Sequence, residues 1–559
     1  MESVPATPGL AHAAIELPRR AKMEILFGIL IALFLGALDQ TIVGVALPTI
    51  VTELRGNDLY TWAITIYLLT ATITGPFYGK LSDLYGRKPL LIAGITIFLA
   101  GSALSGLSQD IYQLILFRGV QGIGAGALFP IALAVIGDLF TPAERGKYQG
   151  LFGAVFGIAS ILGPLLGGFL TESISWHWIF YVNIPIGLVS LYLIWRLLPT
   201  VKRSGASRNL DYAGAFVFTI AISLLLIGLT NKQTADWATP EVGGLLAASF
   251  VGILLFLFVE SRAAEPIVPL SLFRNRTYAA SIATTFFAAF GFFALIIWLP
   301  LWFQFVKGAT PTTAGLYVLA LLLGLIVSSV GSGQLVARTG RYRALTLGAI
   351  LVTAAGLLLL TNLRADTPIE LVWLWMFIGG LGVGPTLAVF TIIVQNAVPF
   401  DKLGVATSNL TFFRQVGGSV ALAVTGTVLT AATRDAAPGQ LTAAGVPPQL
   451  VAGFEQFGGG LSFQPEVGRD LGTSILEGAG PARALIEPWI DQIVDGIHGA
   501  FSLGVAQTFW WGIAATLVSF AFALLIRELP LRSQFGPRPS SGSPAPHAAG
   551  ELAGAPAAD

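Results

Sequence analysis

The chain has 559 residues, of which 54% are hydrophobic and only 11% charged, against roughly 25% charged in an ordinary soluble domain. A composition this apolar excludes a soluble domain, and a net charge of +1 leaves no general basic field for nucleic acid. The absence of cysteine excludes disulfides and thiolate metal sites.

Apolar runs of about 20 residues, enough for a helix to cross a hydrocarbon core of about 30 Å, recur from Ile25 to the region of Arg527. They lack the period-two alternation of barrel strands, so the expected class is an all-α polytopic membrane protein with about fourteen spans. The first run, near 24–48, is too long for a leader core and no small-residue cleavage pattern follows it, so it is read as retained. In its middle, "LGALDQTIVGVALP" places a single acid, Asp39. A second span, near 60–78, leads into "GKLSDLYGRK" at 79–88, with Gly79, Asp83, Gly86, Arg87 and Lys88 at the membrane face. Asp83 can cap a helix N-terminus and pair with Arg87 or a neighbouring basic residue, forming a latch; the alternative is that these charges only set topology.

Spans near 88–107 and 111–139 follow, the second carrying Arg118. At 1.5 Å per residue, Asp39 lies roughly 22 Å in from one side and Arg118 roughly 10 Å in from the other, so their depths agree. A lone buried charge is expensive and an opposed pair tolerable, so the two are expected to meet in a central cavity. Changing hydration would swing the acid between its two protonation states, as a proton-coupling group requires; a purely structural ion pair is the alternative. The span near 147–171 sets Gly153, Gly157, Gly163, Gly167 and Gly168 at helical spacing for close backbone approach, with Pro164 able to bend the helix.

Spans near 177–199, 210–229 and 243–260 lead to one near 278–303 that carries "FFAAFGFFALIIWLPLWFQF" at 286–305. Phe292, Phe293, Trp298 and Gln304 from this stretch are candidates for a greasy substrate cavity, together with Trp375 and Arg414 from later spans. A lipid-facing role for the phenylalanines and a structural role for Arg414 stay open. The remaining spans fall near 312–336, 343–361, 370–398, 404–431 and 500–526. Between the last two, residues 432–499 hold eight acids against three basic residues and read as a solvated loop, with 481–499 available to extend the final helix. The tail from 531 to 559 is low in complexity and is expected to be disordered.

Lys and Arg cluster on one side of the spans, at 19–22, 80–88, 145–147, 202–208, 274–276 and 338–343, which places both termini in the cytoplasm. An internal repeat organises the chain: "GKLSDLYGRK" at 79–88 matches "GQLVARTGRY" at 333–342, and "GIGAG" at 122–126 matches "GLGVG" at 380–384. Each pair keeps an offset of about 255 residues and lies on the same side, so two parallel six-helix halves flank an inserted pair of helices. The expected organisation is an N-terminal segment 1–22, a first half 23–200, an insert 201–262, a second half 263–530 and the tail.

With these motifs in register, the sequence resembles the major facilitator superfamily and, within it, the fourteen-span drug:proton antiporters. "LDQTIVGVALP", "GKLSDLYGRKPL", "RGVQGIGAG", "GPLLGG" and "WHWIFYVNIPIG" carry the resemblance, which covers most of residues 20–530. It implies proton-driven export of a small lipophilic substrate, cations among the candidates, by a monomer in a bacterial inner membrane. It also associates the "GPLLGG" element with exchange rather than uptake. No organic cofactor or metal is expected, with the proton as coupling ion. No "GxxxxGK[ST]" is present, and His12, His177, His498 and His547 are too dispersed for a metal site, so an enzyme is not expected. Alternatives are a lipid or lipid-precursor exporter on the same fold and a membrane scaffold or sensor that does not transport.

Overall fold

The computed structural model describes residues 17–56, 59–200, 211–232, 235–456 and 471–531. The predicted disorder of the tail and the basic residues at 202–208 fall outside these. Among the described residues there is no strand. The first half comprises α1 (Arg19–Glu53), α2 (Tyr60–Tyr85), α3 (Arg87–Ser105), α4 (Ile111–Leu139), α5 (Pro142–Ser173), the single turn α6 (Trp178–Tyr181) and α7 (Asn183–Leu197). The insert is α8 (Tyr212–Asn231) and α9 (Leu245–Glu260). The second half comprises α10 (Arg276–Val306), α11 (Pro311–Tyr317), α12 (Leu319–Thr339), α13 (Arg343–Leu360), α14 (Ile369–Ala397), α15 (Leu403–Ala443), the short α16 (Pro448–Gln456), α17 (Leu471–Gly478) and α18 (Arg483–Ile486), and finally α19 (Ile490–Leu524).

Thirteen described segments are long and apolar enough to cross a membrane. The remaining long helix, α2, is richer in Thr and Tyr. It hides that polarity by turning hydroxyls onto its own backbone: Thr70 donates to Ile66 O at 2.9 Å and Thr74 to Thr70 O at 2.8 Å. Helix ends follow local chemistry. Asp110 caps α4 through the Gln113 N–H at 2.8 Å, and Asn275 caps α10 through the Thr277 and Tyr278 N–H groups. Thr141 and Glu144 form a capping box on α5, with Pro142 in its first turn. At matching places in the two halves, α2 and α12 stop at Gly86 (φ 97°) and Gly340 (φ 68°), conformations that favour glycine.

The repeat is structural as well as sequential. In the first half α1 packs on α5 and α7, and α4 on α2 and α3; in the second, α10 packs on α15 and α19, and α14 on α12 and α13. The halves then meet along two related seams, α5 against α12 and α2 against α15. The insert lies over the second seam, where Phe218 of α8 packs between Phe77 of α2 and Phe412 of α15, at centroid separations of 5.6 and 5.3 Å.

Two sequence expectations change. The described parts of 432–499 are not simply a solvated loop: α15 continues through Pro438 to Ala443, while α19 begins at Ile490, within the 481–499 stretch read as able to extend the final helix. The cause is apolar spacing hidden among Gly and Pro, because Leu441, Val446, Val451, Leu471, Ile493 and Ile497 join the core of the second half. The span near 177–199 is also two helices, broken at Val182, and this break aims Asn183 inward.

Candidate functional site

Asp39 on α1 is fully buried and Arg118 on α4 is 2% exposed. Arg118 Nη1 donates to Asp39 Oδ2 at 2.6 Å. Two neutral amides complete the shell: Gln121 Nε2 donates to Asp39 Oδ1 at 2.7 Å and Asn183 Nδ2 to the same oxygen at 2.9 Å. Gln121 lies one helical turn from Arg118 on the same face of α4, and its Oε1 accepts from Arg118 Nη1 at 2.8 Å. The Tyr67 ring of α2 lies 4.2 Å from the guanidinium carbon and covers it as an aromatic face. Sequence reasoning singled out the two charges and missed Gln121, Asn183 and Tyr67, although "RGVQGIGAG" and "WHWIFYVNIPIG" contain the first two as polar residues in apolar runs.

A narrow cleft of about 20 Å³ opens beside this shell, lined among others by Gln40, Tyr67, Phe129, Ser408, Thr411 and Gln415. It therefore lies between α1, α2 and α4 of one half and α15 of the other. None of the six expected cavity residues lines it. Phe292 and Phe293 are edge-on to each other at 5.4 Å, and Phe292 meets Phe156 of α5 at 6.3 Å across the halves. Trp298 Nε1 donates to Thr425 Oγ1 at 3.0 Å, and Gln304 donates back to Pro300 O of its own helix. Trp375 is 8% exposed within the core of the second half. Large flat side chains in a bundle fill the gaps between helices first, which accounts for Trp375 and the Phe pair. Arg414 is half-buried, and its Nη2 has no hydrogen-bond partner among the described residues.

The basic end of the bundle is closed by charge and backbone together. Asp83 pairs with Arg87 at 2.6 Å, while its two oxygens accept the Gly404 and Val405 N–H groups at 3.0 and 2.8 Å. Asp83 thus sits on the positive N-terminus of α15 in the other half. Arg87 also reaches Asp138 of α4 at 2.9 Å, and Gly79 lets α2 approach Ser408 and the Gly404 carbonyl. Lys88 makes no ion pair with a described residue. Two buried glutamines bridge the same end, Gln149 Nε2 donating to Gln395 Oε1 at 2.9 Å. We expect Asp83→Asn to loosen this end, since breaking a buried pair costs about 3–5 kcal/mol. The cysteine-free sequence allows spin labels at Tyr85→Cys and Arg341→Cys. A second, longer distance should appear with Asp83→Asn, and an unchanged distribution would contradict the latch.

The glycines of α5 serve two partners. Gly153 and Gly157 face Ser329 and Ile326 of α12, and Gly168 faces Thr312 of α11, whereas Gly163 and Gly167 face Thr41 and Ile42 of α1. A Cβ on Gly315 would come within 3.3 Å of the Pro164 ring. Earlier on the same helix, a Cβ on Gly146 would come within 2.3 Å of the Gly333 carbonyl oxygen, while at Gly348 of α13 nothing lies within 4 Å. Gly146→Ala should therefore lower stability by about 1–3 kcal/mol through overpacking. Gly348→Ala should be neutral or raise it by up to about 1 kcal/mol, because helix entropy alone acts there. Thermal melts of the purified protein in detergent compare the two; equal midpoints would remove the tight seam.

Comparison with known proteins decides the fold family. The Major Facilitator Superfamily model matches residues 29–422. The chain belongs to the major facilitator superfamily. It is 40% identical over 415 residues to the multidrug transporter protein MdtP of Bacillus subtilis (strain 168), covering 74% of this chain and 76% of that one. It is 37% identical over 407 residues to multidrug resistance protein 3 of the same organism, covering 73% and 79%. Among solved structures, the proton:xylose symporter XylE shares the fold with a TM-score of 0.56 at 13% identity, covering 90% of this chain and 96% of that one. This superfamily member is a multi-pass membrane transporter and not an enzyme.

Proposed function

We propose that this superfamily member exports small lipophilic compounds in exchange for protons, by alternating access, from the cytoplasm of a cell whose inner membrane it spans as a monomer. The observation that carries the reading is Asp39, a carboxylate with no exposed surface, held by Arg118 beside a cleft between the two halves. A buried acid of this kind is expensive and marks a proton or ion pathway more readily than a packing site. The names of the B. subtilis relatives support export of drug-like compounds. In this reading a proton reaches Asp39 from outside, its hold on Arg118 weakens, and the halves rock about the α5/α12 and α2/α15 seams. The clustered Lys and Arg put the Asp83–Arg87 end, together with both termini, in the cytoplasm. Opening that end requires Asp83 to leave the N-terminus of α15.

Arg414 favours a second reading within the same mechanism. Asp39 is already neutralised by Arg118, so the Arg414 guanidinium, which makes no ion pair and whose Nη2 has no hydrogen-bond partner among the described residues, gives the membrane interior surplus positive charge. Such an interior suits a neutral or anionic amphiphile, a lipid precursor included, better than a cation. Inside-acidic proteoliposomes separate the readings. Accumulation of ethidium would favour the cationic drug, and accumulation of a labelled anionic lipid analogue would favour the second. Failure of a broad panel of both to accumulate would overturn export of lipophilic compounds.

A further inference from the structure

The hydrogen bonds around Asp39 differ between its two oxygens. Oδ2 faces Arg118 Nη1, and a guanidinium has no lone pair with which to accept a bond from an O–H. Oδ1 faces two amide groups, Gln121 Nε2 and Asn183 Nδ2. In this arrangement both donate, which suits a carboxylate and leaves a carboxylic acid with no acceptor. For Asp39 to hold a proton, one of the amides has to turn over.

Gln121 is locked by its neighbour. Its Oε1 accepts from Arg118 Nη1 at 2.8 Å, and turning would set its NH2 against the guanidinium, donor against donor. Asn183 can turn without setting donor against donor. Its Oδ1 is buried and accepts no hydrogen bond from a described residue. Its remaining contact is the Ser102 hydroxyl, at 3.1 Å from Nδ2, and a hydroxyl can donate as well as accept. Ser102 now donates to Phe180 O at 2.8 Å, so it has a resting partner as well as an alternative one. The whole group is enclosed, with Asn183 and Ser102 both at 0% exposure, so no bulk water competes for these bonds.

We propose that Asn183 is the positioning residue that houses the transported proton: its side-chain amide turns over on protonation, so that Asn183 Oδ1 accepts the O–H formed on Asp39 Oδ1. The inference rests on the reading of Asp39 as the proton carrier. The only covalent change is one O–H bond, made with a proton from water on one side and broken to water on the other. Arg118 keeps its bond to Gln121 Oε1 throughout, but at Asp39 it then faces a neutral carbonyl oxygen instead of a charge. The charged or titratable groups facing Asp39 are Arg118 from α4 and, above that guanidinium, Tyr67 from α2. From α7 comes the neutral Asn183, and from α5 the Ala159 carbonyl accepts from Thr41, two residues along α1.

Infrared difference spectroscopy on the reconstituted full chain, titrated across pH, tests this. The carboxylic-acid C=O band of Asp39 is assigned by its loss in Asp39→Asn. An O–H that donates a hydrogen bond lowers that frequency, so Asn183→Leu should shift the band upward. Asn183→Thr, whose hydroxyl can donate or accept, should return it towards the wild-type position. A band that stays in place in Asn183→Leu overturns the inference and leaves Asp39 as the carrier. A wild type with no such band at any pH overturns the carrier reading and the inference with it. Should Asn183→Leu fail to fold, the wild type still decides through the 15N resonance of its Asn183 amide, assigned by its loss in Asn183→Thr. That resonance should move with the same midpoint as the Asp39 band, and an amide that does not move contradicts the turn.

Discussion

Asp39→Asn is expected to abolish accumulation of substrate driven by a pH gradient while leaving downhill exchange of labelled substrate in place. The amide is close to the carboxylate in volume and its oxygen still accepts from Arg118, so α1 stays against α4, at the stability cost of a buried guanidinium that has lost its counter-charge. What disappears is the group that can alternate between charged and neutral forms. Asp39 is the acid at the centre of the buried shell, with Arg118, Gln121 and Asn183 all bonded to it. Accumulation in inside-acidic proteoliposomes should therefore fall to the level of protein-free vesicles. Wild-type accumulation in the variant would make the Asp39–Arg118 pair a structural brace.

Arg118→Met is expected to cause the largest loss of stability of any single change at the site, about 3–5 kcal/mol, because it strands a buried carboxylate. Met fills much of the space and stays apolar, so the cost measures the missing charge more than a cavity. Three contacts go at once: the 2.6 Å bond to Asp39, the 2.8 Å bond to Gln121 Oε1, and the cover of the Tyr67 ring. Combining Asp39→Asn with Arg118→Met removes both charges and should recover part of the loss, with a coupling of at least about 1 kcal/mol in the double-mutant cycle. Transport would stay absent in the double variant. Additive losses, measured by unfolding in detergent, would show that the two charges do not depend on each other.

What the sequence revealed and what it concealed have separate physical causes. Asp39 and Arg118 stand out because a charge in lipid is costly, and the constant rise of a helix makes their depths comparable by counting residues alone. The parallel halves are readable because the Gly79 and Gly333 stretches mark the same turn twice, and both turns end in a glycine with positive φ. The amides Gln121 and Asn183 give a weaker signal, since a neutral polar residue in a span can bond to its own helix, as Thr70 and Thr74 do. The partner of Asp83 is hidden for a different reason. It is the backbone of Gly404 and Val405, and peptide N–H groups carry no sequence identity. The apolar contacts of Leu441, Val446, Val451, Leu471, Ile493 and Ile497 are obscured by frequent Gly and Pro, which suggest loop where helices continue.

The measurement that tests proton exchange most directly is substrate-induced proton release from the purified transporter in weakly buffered detergent solution. If substrate and proton compete through Asp39, adding a transported compound to the wild type acidifies the medium, and adding it to Asp39→Asn does not. If a compound binds the wild type with no proton released, or if Asp39→Asn releases as much as the wild type, Asp39 is not the coupling group.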